Sequence, residues 1–239
     1  MRKRPDIVKV SWSGGKDSSC AVKMHLDLGH IVKAVCYVPM FTKEIPLLTK
    51  EHYEFILRTA DLFRSLGAEV HIVSGRTYYD QVKYRSTRGK HKGRAFGFPL
   101  FQRGWCNFKR DSKLKAIAEC DVGEYDYEDI GIAYDEVDRH NQLSDTKRSI
   151  LCESKMTEED AYWYDVRNGI LSPHYKTQSR DGCTLCPNAK CTEREQWFRD
   201  YPEAIPIVIE LQEFVKVERP EQHPLRKHKW FIEEGGKVN

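Results

Sequence analysis

Short runs of β-branched residues alternate with stretches of helical periodicity along the first half of the chain. Strands are predicted at 6–12, 31–38, 69–75 and 129–135, and helices at 17–29 and 49–67. A strand, a crossover helix and a further strand favour parallel pairing, so this order predicts an α/β fold with a mostly parallel, Rossmann-like sheet flanked by helices. Such a sheet binds its ligands at the carboxyl ends of the strands.

The loop after the first strand reads SGGKDS, residues 13–18. Two glycines allow positive φ and close approach of the backbone to a ligand, and a helix that starts near Asp17 directs amide groups at the loop. This arrangement binds phosphate, although the spacing fits neither GxxxxGK[ST] nor GxGxxG, and a plain tight turn is the alternative. The predicted nucleotide contacts here are Ser11, Ser13, Gly14, Gly15, Lys16, Asp17 and Ser18.

Three cysteines within nine residues suggest a metal site: Cys183, Cys186 and Cys191. Cysteines at this spacing are more typical of a soft-metal site than of buried or redox-active thiols. A fourth ligand is needed, and Cys106 is the best candidate because it lies in a polar loop. A histidine, His140 or His174, is the alternative. Structural zinc and a [4Fe-4S] cluster both accept four thiolates, so the residues alone leave that choice open.

Beyond residue 76 the predictions are coarser. Periodicity fails between 76 and 113, which predicts a long loop over the sheet edge. A helix is predicted at 156–170, where Thr157 and the acidic residues after it are typical of a capped helix start. The last helix, around 193–218, is expected to break or kink at Pro202 and Pro206.

Four stretches of the sequence resemble one family. SGGKDS, directly after the predicted first strand, resembles the PP-loop of the ATP pyrophosphatase superfamily, with its adenine nucleotide alpha hydrolase-like fold. Residues 154–175 and GIAYDEVDRH at 131–140 are similar to segments of phosphoadenosine phosphosulfate (PAPS) reductase-like proteins. RDGCTLCP at 180–187 resembles their R-x-G-C-x-x-C-P turn. Ala133 stands where that family usually has an arginine.

The resemblance implies a nucleotide-binding α/β domain at 1–150 and a C-terminal helical, Cys-rich extension at 151–239, or one domain made of both. It implies ATP with Mg²⁺, or a PAPS-like adenine nucleotide, as ligand. The expected reaction cleaves the α-β phosphate bond, adenylates an acceptor and couples this to sulfur transfer. Lys16, Asp17 and Glu136 are the expected catalytic residues, and Arg139 is a further nucleotide contact.

For the metal, the resemblance favours a [4Fe-4S] cluster over zinc, held by Cys106, Cys183, Cys186 and Cys191. The enzymatic alternative is reduction of adenylylated sulfate with release of sulfite. It is disfavoured because the reductases of the family use a cysteine in the C-terminal tail, and this sequence has none after Cys191. The non-catalytic alternative is a module that binds or senses an adenine nucleotide.

The net charge and the basic clusters of the chain indicate which partners it could bind. A net charge of +3 excludes nucleic-acid binding by bulk electrostatics. Six basic residues within 83–94, with Tyr84 and Phe96 nearby, form either a solvated face or a clamp on nucleotide phosphates or a nucleic-acid backbone. A second basic cluster lies at 226–229. A sulfur-donor protein and a second copy of the chain, as a homodimer, are further candidate partners.

The sequence has no 18-residue apolar run and no apolar segment after its basic N-terminus that is long enough for secretion. We therefore expect no membrane partner and a cytoplasmic protein.

Overall fold

The computed structural model describes residues 4–102, 105–176, 182–222 and 231–233, without the side chains of 101, 102 and 105. Its first five elements follow the predicted order. They are β1 (Ile7–Trp12), α1 (Lys16–Asp27), β2 (Ile31–Tyr37), α2 (Lys50–Ser65) and β3 (Glu69–Val73). The sequence predictions for these elements are confirmed to within about two residues at each end, as is usual for pattern-based boundaries.

The prediction of a long loop at 76–113 is wrong. The segment contains α3 (Tyr78–Lys83), a 3₁₀ turn (Gly89–His91), the short strands β4 (Phe101–Gln102) and β5 (Trp105–Cys106), and a π-helix (Lys109–Leu114). α3 begins at a capped residue, because the Thr77 side chain accepts a hydrogen bond from the Asp80 amide. Six residues are too few to show a helical period, which is why this helix was missed.

Five short elements follow: α4 (Lys115–Glu119), β6 (Tyr127–Ile130), α5 (Val137–His140), β7 (Lys147–Arg148) and α6 (Ile150–Glu153). The predicted strand at 129–135 is confirmed in part, since β6 lies earlier in the chain and ends at Ile130.

The last elements are helical: α7 (Glu158–Asn168), a 3₁₀ turn (Pro173–Lys176), α8 (Cys191–Asp200), α9 (Ala204–Glu218) and a 3₁₀ turn (Pro220–Gln222). The predicted capped start of α7 is confirmed by a capping box between Thr157 and Asp160. The predicted break is confirmed at Pro202, which lies between α8 and α9. Pro206 does not break α9, because in its first turn an amide has no intrahelical partner to lose.

The sheet is all-parallel, in the order β3-β2-β1-β6-β7. β1 is the central strand, and its side chains Val8, Val10 and Trp12 are almost fully buried. The chain runs from β1 outward to β2 and β3, and then returns to place β6 on the other side of β1. The strand order therefore reverses at the β1–β6 pair, and a parallel sheet binds its ligand in the crevice at such a point.

The chain divides into two compact units that alternate along the sequence. The first comprises Met1–Tyr37, Glu51–Val73 and Ile117–Asp181, and contains the five-stranded sheet. The second comprises Val38–Lys50, Ser74–Ala116 and Gly182–Asn239. Its aromatic-rich core includes Phe41, Tyr78, Phe98, Phe108 and Trp197. The boundary predicted at residue 150 falls inside the first unit.

Among the described residues, no helix combines the length and the apolar character that a membrane crossing requires.

Candidate functional site

The loop between β1 and α1 needs glycine at its second position. Gly14 has φ of +78°, and a Cβ there would lie 2.6 Å from Cγ1 of Ile56 on α2. Left-handed backbone and lack of space both exclude a larger side chain. The loop is thus held against α2 while its amides lie at the N-terminus of α1.

The backbone amides of this loop donate hydrogen bonds to neutral hydroxyl groups. The Ser13 amide donates to Oγ of Ser18 over 3.0 Å, and the Gly15 amide donates to Oγ of Ser13 over 3.3 Å. Oγ of Ser18 in turn donates to the Gly15 carbonyl over 3.0 Å. Gly15 is the N-cap residue of α1 and has no side-chain cap. The predicted residues Ser13, Gly14, Gly15 and Ser18 therefore lie together around a helix N-terminus.

A tyrosine that is distant in sequence also accepts a hydrogen bond from this loop. The Lys16 amide donates to the hydroxyl oxygen of Tyr175 over 3.1 Å. The neighbouring His174 is buried, and its Nδ1 lies 2.7 Å from Oγ of Ser172 and 2.9 Å from Nδ1 of His52. This polar group fixes the segment that carries Tyr175. Tyr175 was noted in the family-like segment but was not predicted as a site residue.

The end of β6 lies directly against the first turn of α1. A Cβ on Gly131 would lie 2.5 Å from the Ser18 amide nitrogen and 2.6 Å from the Asp17 carbonyl carbon. Both are backbone atoms that cannot rotate away, so the close approach requires glycine. The two strands on either side of the reversal in strand order therefore meet at the predicted phosphate loop.

Lys16 forms a charged group with two carboxylates. Its Nζ lies 2.9 Å from Oδ1 of Asp17 and 2.9 Å from Oε2 of Glu158. Burial disfavours the charged amine, but the hydrogen bonds and negative charge of Glu158 and Asp17 outweigh it and raise the pKa of Lys16. Lys16 is therefore a cation at neutral pH. Asp17 pairs with Lys16, and its side chain does not cap α1.

Negative charge accumulates around Asp17. Burial raises the pKa of its carboxyl group, Lys16 lowers it, and the carboxylates of Glu158 and Glu136 raise it further. A cation or a proton near Asp17 relieves this repulsion. Glu158 was matched to the family-like segment but was not predicted as a site residue, because its position in the first turn of a helix has a sufficient structural explanation.

The loop after β6 orients the remaining acidic residues. Oε2 of Glu136 accepts from the Ala133 amide over 3.3 Å, and its other oxygen pairs with Arg139. Oδ1 of Asp135 accepts from the Glu158 amide over 3.0 Å, at the start of α7. The Arg139 side chain is 57% exposed and already paired, so a nucleotide would compete with Glu136 for its guanidinium.

Ser11 lies within β1, before the loop. Its Oγ donates to Oε1 of Glu128 on β6 over 2.7 Å. In the structure this predicted nucleotide contact links two neighbouring strands.

Sequence reasoning missed a buried acid in α7. Asp165 is fully buried, and among the described residues neither of its carboxyl oxygens has a hydrogen-bond partner. Burial raises its pKa to about 9, and the charge of Asp17 acts in the same direction while Lys16 opposes it. Asp165 is therefore protonated at neutral pH. A lone aspartate in a helix with other acidic residues gives no sequence signal of such burial.

The Cys-rich segment forms tight turns in the second unit. The Cys186 amide donates to the Cys183 carbonyl over 3.1 Å, and the Ala189 amide donates to the Cys186 carbonyl over 2.9 Å. Nη2 of Arg194, on α8, donates to the Ala189 carbonyl over 3.0 Å. These contacts fix the C-x-x-C turn from its backbone side.

Three of the four predicted metal-binding cysteines act electrostatically on one hydroxyl group, that of Tyr78. Burial raises the pKa of Tyr78 well above its ordinary value, and the charges of Cys186, Cys106 and Cys183 raise it further. The fourth, Cys191, is exposed at the start of α8. Within the described ranges, no three His, Cys, Asp or Glu side chains are grouped closely enough to hold a metal ion.

The basic segment 83–94 is partly neutralised in the second unit. Lys83 pairs with Glu210, and Arg85 pairs with Glu218, both on α9. These two pairs attach the segment to α9, and Arg94 pairs with Glu221, which supports a structural role for half of the six basic residues. The cluster predicted at 226–229 lies outside the described residues.

An open cleft of about 690 Å³ in the second unit is lined by Arg94, Arg110 and Arg219, together with Cys106. All three arginines already form ion pairs with acidic residues. The cleft exposes one predicted metal-binding cysteine beside positive charge.

Compared with the models of known protein families and with curated proteins, the sequence matches none. The function proposed for this chain therefore rests on its own residues and their arrangement.

Proposed function

We propose that the chain binds MgATP at the loop between β1 and α1, cleaves the α-β phosphate bond and transfers the adenylyl group to an acceptor. One observation carries the proposal: the amides of Ser13, Gly15 and Lys16 lie together at a helix N-terminus, beside a lysine cation, with neutral hydroxyls as their acceptors. The family resemblance of the sequence supports the same reaction.

Phosphate is a better acceptor for these amides than the hydroxyls that hold them. Hydrogen bonds to an ionised acceptor are roughly twice as strong as those between neutral groups. The dipole of α1 adds attraction for an anion at the same point. Nucleotide phosphates can therefore displace Tyr175, Ser13 and Ser18 from the amides with a gain in free energy.

The reaction needs charge neutralisation on the leaving group. An oxygen or nitrogen nucleophile of the acceptor attacks the α-phosphorus, and the bond to the bridging oxygen breaks, so that pyrophosphate leaves with the electron pair. The Lys16 ammonium and the loop amides stabilise the charge that develops on pyrophosphate. Lys16 suits this role because its pKa is raised and it stays charged.

The carboxylates of Asp17, Glu136 and Glu158 would hold Mg²⁺ together with the nucleotide. Carboxylate oxygens are donors that a hard cation prefers. Burial, and after it the charges of Glu158 and Glu136, raise the pKa of Asp17, so a nearby cation would stabilise its carboxylate. The described carboxylates are not grouped closely enough to hold a metal ion by themselves, so the nucleotide phosphates would have to supply further ligands. A Mg²⁺ ion held there would neutralise negative charge on the nucleotide phosphates.

The thiols of Cys106, Cys183 and Cys186 would hold a [4Fe-4S] cluster, with Cys191 as the fourth ligand, or a structural zinc. Thiolates are the donors that such a metal prefers, but the four cysteines would have to move closer together to hold one, because no three of the described ligand side chains are grouped at metal-binding distance. A sulfur nucleophile that displaces AMP from the adenylated acceptor would complete a thiolation.

Calorimetric titration with MgATP tests the binding part of the proposal. We expect Lys16→Met to weaken binding by about 10- to 100-fold, because a hydrogen bond to a charged group contributes about 1.5–3 kcal/mol. Lys23→Met is the matched control, since Lys23 lies on the same helix and pairs with Asp27.

Inorganic pyrophosphate is expected to compete with MgATP for the wild-type protein. Equal MgATP affinities of the two lysine variants would contradict the assignment of the loop. Binding with no pyrophosphate release in the presence of any acceptor would leave a nucleotide-binding module instead of an enzyme.

A further inference from the structure

The open cleft in the second unit combines arginine and aromatic side chains. Its volume is about 690 Å³, which lies within the range of about 300–1,000 Å³ that is usual for ligand sites. The arginines of its lining are Arg94, Arg110 and Arg219, and the apolar part includes Phe96 and Phe98. The cleft therefore offers both positive charge and apolar surface to a ligand.

A basic hairpin, residues 84–96, supplies much of this lining. Backbone hydrogen bonds join its two arms, from the Ser86 amide to the Arg94 carbonyl and from the Phe96 amide to the Tyr84 carbonyl, each over 2.9 Å. The hairpin contains no acidic residue. Its turn carries three exposed cations, which are Arg88, Lys90 and Lys92.

Cations exceed carboxylates at the cleft. Arg94 and Arg219 both pair with the same oxygen, Oε1 of Glu221. Arg110 pairs with Asp111, and its side chain remains 56% exposed. Three arginines thus share two carboxylates, and the cations of the hairpin turn add to the excess. A local excess of this kind attracts an anion even though the net charge of the whole chain is small.

The apolar part of the lining includes a partly exposed aromatic ring. Phe96 is half-buried and makes a T-shaped contact with Tyr84, with ring centroids 5.0 Å apart. Phe98 is only 7% exposed, so Phe96 offers the larger aromatic surface. An aromatic surface beside arginines suits a planar base that is linked to phosphates. In a duplex the bases are stacked inside, so an unpaired strand is needed to place one in the cleft.

We propose that this cleft binds single-stranded nucleic acid, with one base against Phe96 and the neighbouring phosphates at Arg94, Arg110 and the cations of the hairpin turn. A positive groove with aromatic side chains is the usual combination for binding single strands. The inference goes beyond the proposed reaction, because strand binding does not depend on MgATP. Only the further step, in which the bound strand is the acceptor of the adenylyl group, rests on the proposed function.

Fluorescence anisotropy of the full chain without ATP tests the inference. The probes are labelled RNA and DNA strands of about 12 nucleotides, and a duplex of the same sequence. We expect a single strand to bind more tightly than the duplex, and the RNA and DNA arms show which of the two the cleft prefers. The logarithm of the affinity is expected to fall linearly with the logarithm of salt concentration, by about 0.7 for each phosphate neutralised.

Two pairs of variants separate the cleft from the rest of the second unit. Arg110→Gln is expected to weaken strand binding about two- to fivefold and to reduce the salt slope by about 0.7. Arg199→Gln is its control, because it removes the same charge from a side chain on α8 that pairs with Glu195. Phe96→Leu is expected to weaken binding about 5- to 150-fold, the loss of one base–aromatic stack. Phe214→Leu, at a half-buried ring on α9, is the control for that change.

Three results would overturn the inference. Equal losses for Arg110→Gln and Arg199→Gln, or a duplex bound as tightly as the single strands, would show that diffuse charge alone attracts nucleic acid. Equal affinities of Phe96→Leu and Phe214→Leu would exclude a base at the aromatic ring. If circular dichroism shows that Phe96→Leu does not fold, the arginine pair and the duplex comparison decide. Strand binding is measured without MgATP, so either proposal can fail while the other stands.

Discussion

Replacing Asp165 by asparagine is expected to remove a large part of the pH dependence of stability. The carboxyl group is fully buried and its pKa is raised from 3.8 to about 9. Between these values the folded protein keeps a proton that the unfolded chain has lost. Stability from this group is therefore complete below the unfolded pKa and is lost as pH rises towards the folded value.

The size of the effect follows from the shift. Each pH unit in this window lowers the free energy of unfolding by about 1.4 kcal/mol relative to the asparagine variant. From pH 5 to pH 8 the difference grows by about 4 kcal/mol, a large share of the 5–15 kcal/mol that stabilises a typical domain. Asparagine leaves its own buried amide unpaired, which changes stability by an amount that does not depend on pH. The test is therefore how the stability difference between the two proteins changes with pH, and not its value at one pH.

Urea unfolding at pH 5, 6, 7 and 8, followed by circular dichroism, measures this slope. Asp160→Asn is the control, because hydrogen bonds from Thr157 lower the pKa of Asp160, so this exposed carboxyl group is expected to add no slope between pH 5 and pH 8. Its stabilising effect is present above the unfolded pKa and is lost as pH falls through the folded value. A wild type and an Asp165→Asn variant whose curves stay parallel from pH 5 to pH 8 would refute the buried, protonated acid.

Two further predictions concern the contacts around α1. We expect Gly131→Ala to destabilise the fold by about 1–3 kcal/mol and to weaken MgATP binding, because its Cβ would overlap the backbone of Ser18. Gly29→Ala is the control: φ is +75° at Gly29 but nothing lies within 4 Å of the added Cβ, so we expect lower stability with no change in MgATP binding. Equal losses of MgATP binding in the two variants, measured by calorimetric titration, would contradict the role of Gly131. Tyr175→Phe is expected to cost about 1 kcal/mol in thermal unfolding of the free protein and to tighten MgATP binding about fivefold, because the Lys16 amide loses its internal acceptor. Weaker binding would show that Tyr175 contacts the nucleotide instead.

The parallel sheet could be predicted from sequence because its strands have a local signal. β1, β2 and β3 are rich in β-branched residues, β1 and β3 are followed by serine and glycine, and Gly14 of the β1–α1 loop has a positive φ that requires glycine. The prediction for the segment after β3 was wrong because α3 is too short to show a helical period.

Other parts of the site depend on contacts between distant residues. The Lys16 amide meets Tyr175 across 159 positions, and Lys16 meets Glu158 across 142. Burial of Asp165 and Tyr78 depends on packing against other elements, and neither residue type signals it alone. The sequence therefore predicted the position of the β1–α1 loop better than the groups that surround it.

The bond that is cleaved in ATP tests the central proposal most directly. The anaerobically purified chain is incubated with Mg²⁺ and ATP labelled at both the α- and γ-phosphorus, with water, RNA or DNA as acceptor, and the products are separated by chromatography. We expect pyrophosphate, with AMP or an adenylated acceptor in equal amount, and we expect Lys16→Met to abolish both. ADP and phosphate, or ATP bound and recovered intact with every acceptor, would contradict the proposed reaction.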